Sequence, residues 1–276
     1  MTARPQITAP GADPRSPGYA PAFVADVLDD ALAHDCRVYS ITGLQGTGKS
    51  TIAAQLVALA RERGVRAMAL SIDDFYLDHD ARVRLGHEVH PLLATRGPPG
   101  SHDVALACEV VDALREGRGT RLPRFDKIAD RRLPRAEWPV VDGAELVLFE
   151  GWFQKVPAQS PEALADPVNA LERDEDPDGI WRAYCNDSLA RDYAPLWSRL
   201  DRLLFLQGPG VDQVPEWRWQ QECTLQAAHP DRAAMTRPQV LRFVQFFERV
   251  SRHGWPLLPE IADRTVRLDA SRRPID

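Results

Sequence analysis

The segment Gly43-Leu44-Gln45-Gly46-Thr47-Gly48-Lys49-Ser50 constrains the fold of this chain more than any other. It fits the pattern G-x-x-x-x-G-K-S/T. It also lies where that pattern has physical meaning, after the β-forming run Cys36-Arg-Val-Tyr-Ser-Ile-Thr42 and before a helix that opens at Ser50 with Ile52, Leu56 and Leu59 on one face. Its glycines let the backbone curl until successive N–H groups point inward at phosphate oxygens, and the helix N-terminus adds partial positive charge. Lysine occurs only at positions 49, 127 and 155 and glycine 17 times, so an accidental match has a probability of roughly one in a thousand. The pattern makes Gly43 to Ser50, with Thr51 behind it, a nucleoside triphosphate site. Lys49 would reach the β- and γ-phosphates, and the Ser50 hydroxyl would be a ligand for Mg²⁺.

The rest of the chain reads as one α/β domain. Residues 1–21 are rich in Pro, Ala and Gly without an apolar period and read as a flexible arm. From 22 to 276 helices alternate with short apolar strands. Helices are expected over 22–34, from 50 to Gly64, over Asp103–Glu116, and around 187–200, 211–228 and 238–252, the last closed by Gly254. Strands are expected over Arg66–Ile72, Glu145–Glu150, Leu203–Leu206 and, more weakly, Thr265–Leu268. The stretches 81–102, 120–140 and 153–180 are rich in Pro, Gly and charge and have no period; loops of that length in a compact domain carry function or are disordered. No internal repeat is visible, so the pattern calls for a parallel sheet with right-handed crossovers.

Composition excludes several classes. The 34 basic and 40 acidic residues leave a net charge of -6, which gives no general attraction to nucleic acid or to an anionic membrane. No run approaches the roughly 18 apolar residues of a membrane span, and MTARPQITAPGADPRSPGYA lacks the apolar core of a secretion signal, so a cytoplasmic protein is expected. Cys36, Cys108, Cys185 and Cys223 form no C-x-x-C pair and read as buried thiols.

In an open α/β sheet, ligands bind beyond the carboxyl ends of the strands. Two expected strands end in acids there, in Ile72-Asp73-Asp74-Phe75-Tyr76 and in Phe149-Glu150-Gly151-Trp152. Phosphoryl transfer to an alcohol needs a metal holder and a carboxylate that orients the hydroxyl and takes its proton. A guanine-reading N-K-x-D is missing, and Asp176-Pro-Asp-Gly179, which fits D-x-x-G in letters, follows no strand and reads as a turn. These features favour transfer to a small hydroxyl compound.

Gly43–Thr51, Ser71-Ile-Asp-Asp-Phe-Tyr76, Arg96-Gly-Pro-Pro-Gly-Ser-His-Asp103, Pro123-Arg-Phe-Asp-Lys127, Phe149-Glu-Gly-Trp152 and Trp217-Arg-Trp-Gln-Gln-Glu222, in this order, resemble the D-glycerate 3-kinase family over about residues 22–270. That family is a branch of the P-loop small-molecule kinases, beside uridine kinase, phosphoribulokinase and bacterial pantothenate kinase. The resemblance implies a P-loop NTPase three-layer fold with a mostly parallel central sheet, and ATP plus D-glycerate giving 3-phosphoglycerate with Mg²⁺. It also implies Asp73 as the base, Asp74 beside it or on a metal-bound water, Glu150 holding either the metal, with Ser50, or the acceptor, and Arg218 as a lid arginine closing over the phosphates. The acceptor pocket would then be built from Tyr76 with Arg96, Arg124 and Lys127 for a carboxylate, His102, Asp103 and Asp126 for hydroxyls, and Trp152 as a wall. Trp217 and Trp219, flanking Arg218, are expected to pack the lid helix. Members of the family carry a longer Gly-rich, Asp-Arg-containing stretch after P-R-F/Y-D-K, whereas here Ile128-Ala-Asp-Arg-Arg-Leu-Pro follows at once, with Asp130 and Arg131 as candidates for that pair. Two other readings stay open: the same fold acting on pantothenate, a nucleoside or a sugar, and a non-catalytic ATP-dependent regulator.

Overall fold

The computed structural model describes residues 18–228, 230–231 and 234–275. Most of the expected arm, residues 1–17, lies outside them. One sheet is built from Val38–Gly43 (β1), Ala67–Ser71 (β2), Leu146–Gly151 (β3), Arg202–Gln207 (β4), Arg264–Leu268 (β5) and Pro274–Ile275 (β6). Every residue of β1 and β3 is buried, as strands covered on both faces require. The order across the sheet is β6-β5-β4-β1-β3-β2, with all pairs parallel except the last short strand, β6, which runs antiparallel to β5.

Alternation along the strands feeds two cores. On one face Tyr39, Ile41, Leu148 and Leu204 pack with Val27 and Leu28 of α1 (Pro21–Ala33) and Ile52 and Leu56 of α2 (Lys49–Glu62). The short helix α3 (His79–Glu88) follows β2 in the chain. On the other face Val38, Leu70, Phe149 and Phe205 meet Val111 and Leu114 of α4 (Val104–Arg115) together with aromatic and aliphatic side chains from further along the chain. Those later elements are α5 (Ala170–Glu175), α6 (Ile180–Arg191), α7 (Ala194–Trp197), α8 (Val214–Ala228) and α9 (Arg237–Ile261). Helices thus cover both faces, the three-layer α/β arrangement expected from the sequence.

Several local expectations are corrected. The helix expected over 187–200 is two helices, α6 starting at Ile180 and α7 at Ala194. The start is early because the Asp176 carboxylate accepts the N–H groups of Trp181 and Arg182 at 2.8 and 3.2 Å, so the Asp176–Gly179 turn serves as a helix start. The last helix, α9, does not end at Gly254 but runs through Pro256 and Pro259 to Ile261. Gly254 is buried, and a Cβ there would come within 2.6 Å of Val156, so this glycine serves close packing and not helix termination. Within 81–102, α3 lacks an apolar stripe because its buried position is Arg82, whose guanidinium donates to the carbonyls of Leu77 and Ala94 at 3.1 and 2.8 Å. Cys36 and Cys185 are buried as expected, but Cys108 is half-buried and Cys223, on α8, is exposed. The end of the expected arm is also fastened. Tyr19 is buried, its hydroxyl donates to the Thr47 carbonyl, and its N–H and carbonyl pair with the Gln55 amide at 2.9 Å each.

Candidate active site

The parallel register brings the functional ends of three strands together. Glu150 of β3 stands opposite Ile41 of β1 on one side and Ser71 of β2 on the other, so the phosphate-loop segment, Glu150 and the Asp73-Asp74 turn share one edge of the sheet. The loop itself follows from its glycines. Gly46 and Gly48 adopt φ of +88° and +87°, in the left-handed region where a Cβ is strained. A Cβ on Gly46 would also lie 2.6 Å from the Cβ of Trp217. That indole, fully buried on α8, backs the loop and donates from Nε1 to the carbonyl of Ala270 at 3.0 Å. Arg272, lying over the same Trp217 ring, donates to the Gly46 carbonyl at 2.6 Å. Inside the loop, the Lys49 ammonium donates to the carbonyls of Gly43 and Leu44, both at 2.9 Å. Its pKa lies below the usual lysine range because burial disfavours the charge, against the support of Glu150 and Asp73.

The Ser50 hydroxyl donates to Glu150 Oε1 at 3.0 Å. This pair of hard oxygens at the mouth of a phosphate loop is the donor set a Mg²⁺ ion takes when phosphates and water complete its shell. Burial raises the Glu150 carboxyl above the ordinary glutamate value, in opposition to Lys49.

A nested excursion of the chain supplies the other wall. Residues 120–121 and 140–141 pair as a short ribbon, and inside it Phe125–Asp126 and Arg131–Arg132 form a hairpin. Three anchors press the hairpin onto the Asp73-Asp74 turn. Asp74, 4% exposed, accepts from Arg124 Nη1 at 3.0 Å and from the N–H of Phe125 at 3.3 Å. Arg132 donates to the Tyr76 carbonyl at 2.8 and 3.2 Å and to Asp103 at 3.1 Å. Asp130, in the left-handed region at φ +53°, collects Arg82 and His79 at 2.9 and 3.2 Å together with Arg96. The hairpin thereby delivers Lys127 to Asp73, with Nζ 2.5 Å from Oδ2, while the Tyr76 hydroxyl donates to Oδ1 at 2.8 Å. Burial alone would raise the Asp73 carboxyl, but Lys127 and the Tyr76 hydroxyl hold it down at about 2. Asp74 goes the other way, pushed up to about 6 by burial against the pull of Arg124. Adjacent carboxyls thus hold their protons very differently.

Comparison with known proteins fits this arrangement. The phosphoribulokinase / uridine kinase family matches residues 38–168. A kinase of Schizosaccharomyces pombe, described as the uncharacterized kinase mug58, is 30% identical over 224 residues, covering 76% of this chain and 78% of its own. The chain belongs to the phosphoribulokinase and uridine kinase family. The chloroplastic D-glycerate 3-kinase of Arabidopsis thaliana is 28% identical over 261 residues, which cover 86% of this chain but 54% of that larger protein. Among solved structures, D-glycerate 3-kinase from Cryptococcus neoformans superposes with a TM-score of 0.77 at 24% identity over 93% of this chain and 99% of that one. The protein YGR205w follows with a TM-score of 0.69 at 22% identity over 92% and 95%; at these identities the likeness concerns the fold. The chain is a small-molecule kinase with a P-loop nucleotide site, and among its described residues no helix is long and apolar enough to cross a membrane.

Most of the residues singled out from the sequence meet in this kinase, but several are engaged differently than expected. Arg96, Arg124 and Lys127, read as three cations for a substrate carboxylate, are each already paired with an acid of the chain: Asp130, Asp74 and Asp73. Asp103 caps α4 through the N–H of Leu106 at 3.1 Å and takes Arg132, while Asp126 accepts the N–H groups of Ile128 and Ala129 at 2.8 and 2.9 Å and so closes the hairpin turn. Both carboxylates hold the pocket's frame; a helix cap is a role that Asp103's place just before α4 allows, whereas nothing around Asp126 in the sequence marked it as closing a turn. Asp130 does not pair with Arg131 but with cations from two other segments. Arg218 lies over the Phe243 ring and 3.7 Å from Glu222. Trp219 packs against the small apolar cluster around Leu44 and Val240. Three nitrogens of residues expected in the pocket, His102 Nε2, Arg124 Nη2 and Trp152 Nε1, are buried without a hydrogen-bond partner among the described residues. Sequence reasoning missed Tyr193, Arg132, Tyr19 and Arg272. Of these only Arg132 lay in a stretch singled out in the sequence, Ile128-Ala-Asp-Arg-Arg-Leu-Pro; the others are brought in from segments without a motif.

Proposed function

We propose that this kinase transfers the γ-phosphoryl group of ATP to the 3-hydroxyl of D-glycerate, giving 3-phosphoglycerate and ADP. The observation that carries the reading is the pocket's surplus of donors. Arg124 and Trp152 each bury an N–H, and His102 its Nε2, without a hydrogen-bond partner among the described residues, and Lys127 is held on Asp73. Unpaired buried donors are costly, and a small acid bearing hydroxyls supplies the acceptors they lack. The relationship to the Arabidopsis D-glycerate 3-kinase, over 86% of this chain, supports that acid being D-glycerate.

In this reading Asp73, ionised throughout the neutral range, orients the attacking hydroxyl and takes its proton. A loose phosphoryl-transfer transition state asks for little base strength, so a carboxylate held at about 2 is adequate. Lys49 leaves the carbonyls of Gly43 and Leu44 for the phosphate oxygens. Mg²⁺ on Ser50 and Glu150 would offset phosphate charge. The substrate carboxylate competes with Asp73 for Lys127, which couples acceptor binding to release of the base. Arg218, next to the indole that backs the loop, would approach the phosphates when α8 moves.

The test is an assay of ADP release with Mg-ATP and D-glycerate, L-glycerate, pantothenate, uridine or ribulose 5-phosphate, with Lys49→Ala as the blank. Saturable turnover with D-glycerate alone is expected, and Asp73→Asn should lower kcat by at least ~100-fold with the fold intact. Saturation by another compound instead would overturn the substrate, and near-wild-type kcat in Asp73→Asn would overturn the base.

A further inference from the structure

His102 follows Ser101 in the loop that ends at α4 and is bridged through its backbone to Tyr76. Its ring lies 4.6 Å from the Tyr76 ring, centroid to centroid, and Tyr76 is the residue whose hydroxyl holds Asp73. Burial keeps the imidazole neutral, with a pKa pushed down to about 3, so the ring carries one N–H, and its location decides what the ring can do.

Tyr193 decides it. This side chain is fully buried at the joint between α6 and α7, walled by Phe153 and Trp197. Its hydroxyl oxygen accepts the Gly100 N–H at 3.1 Å and lies 2.6 Å from His102 Nδ1. A phenol has one hydrogen to give, and burial holds its pKa well above the usual value, so it keeps that hydrogen. Among the described residues the only acceptor it reaches is Nδ1. With the proton on Nδ1 instead, the tyrosine O–H would be buried without an acceptor. With the tyrosine donating, Nδ1 is the acceptor and the ring hydrogen sits on Nε2, the atom without a partner among the described residues.

We propose that Tyr193 is a positioning residue that locks His102 as an Nε2–H donor to an oxygen of the acceptor substrate. The inference rests on the acceptor-site reading above but not on the substrate being D-glycerate. It assigns His102 to substrate orientation and excludes it from proton abstraction, because its lone pair is occupied by Tyr193. It also explains why a residue far along the chain, outside every recognisable motif, reaches a loop beside Asp73.

Three measurements test it. Long-range ¹H–¹⁵N NMR of the histidine-labelled protein should show His102 neutral with the proton on Nε2 at neutral pH; an Nδ1–H ring or an imidazolium overturns the proposal whatever the substrate is. Tyr193→Phe should raise the KM for the acceptor about tenfold, as loss of one hydrogen bond's alignment predicts, with the KM for ATP and kcat within about twofold of wild type. An unchanged acceptor KM overturns it. Finally, Gln places an amide donor near the position of Nε2 and Asn near that of Nδ1, so His102→Gln should retain more acceptor affinity than His102→Asn; the reverse order overturns the proposal and does not depend on how well Tyr193→Phe folds. If these results appear with an acceptor other than D-glycerate, the substrate assignment has failed and the positioning role stands.

Discussion

Asp74 is a carboxyl group that folding holds at a disadvantage, and Asp74→Asn measures it. Burial lifts the group from 3.8 to about 6 against the pull of Arg124 and the Phe125 N–H. Because the folded carboxyl binds its proton more tightly than the unfolded one, its contribution to stability is complete below about pH 4 and is lost as the pH rises through about 6. The full loss is ~3 kcal/mol, of which ~2 kcal/mol falls between about pH 4.5 and about pH 7.5. Asparagine keeps one of the two oxygens, the other being replaced by an amide donor, and has nothing to titrate; the lost acceptor costs the same at both pH values and cancels from the difference. Urea unfolding of both proteins at the two pH values should therefore show the variant gaining ~2 kcal/mol on wild type as the pH rises. The other titrating groups are common to both proteins and cancel. A stability difference independent of pH would refute the assignment, and a change in the opposite sense would mean that Arg124 outweighs burial. The variant should be the slower enzyme at either pH, because the charge that fastens Arg124 and the hairpin has been removed.

Two further perturbations probe the loop and the hairpin. Gly46→Ala places a Cβ 2.6 Å from the Trp217 Cβ at φ +88°, so ATP affinity measured by calorimetry should fall at least tenfold while far-ultraviolet circular dichroism is unchanged; unaltered affinity would mean the loop is not held against that indole. Lys127→Met leaves burial to dominate Asp73, which should rise from about 2. As activity needs the ionised carboxylate, the acid limb of kcat/KM should then move to higher pH, and an unmoved limb would separate Lys127 from the base.

What the sequence made legible was whatever depends on local spacing. The strand–loop–helix around Lys49 and the acids after β2 and β3 are visible because a buried parallel strand is a continuous apolar run, and whatever ends it stands out. Arg82 hid α3, since an arginine satisfied by three carbonyl and carboxylate partners looks like surface in a periodicity reading. Gly254 misled for a related reason: the same residue that ends many helices also permits close packing in the middle of one. Asp103 and Asp126 were visible as acids, but whether a carboxylate faces a ligand or a helix end is decided by tertiary contacts. Tyr193 could not be found at all, because its function lies in a single oxygen meeting a loop more than ninety positions away.

The phosphate loop is gripped at two adjacent carbonyls, that of Thr47 by Tyr19 and that of Gly46 by Arg272, and the second of these contacts joins residues 226 positions apart. On the ribosome the loop motif emerges already beside its strand and helix, yet the residue that braces Gly46 follows it by 226 positions. Contacts of such separation form late. A nascent chain should therefore display its nucleotide motif long before it has a nucleotide site, so that ATP capture reports completion of the whole sheet.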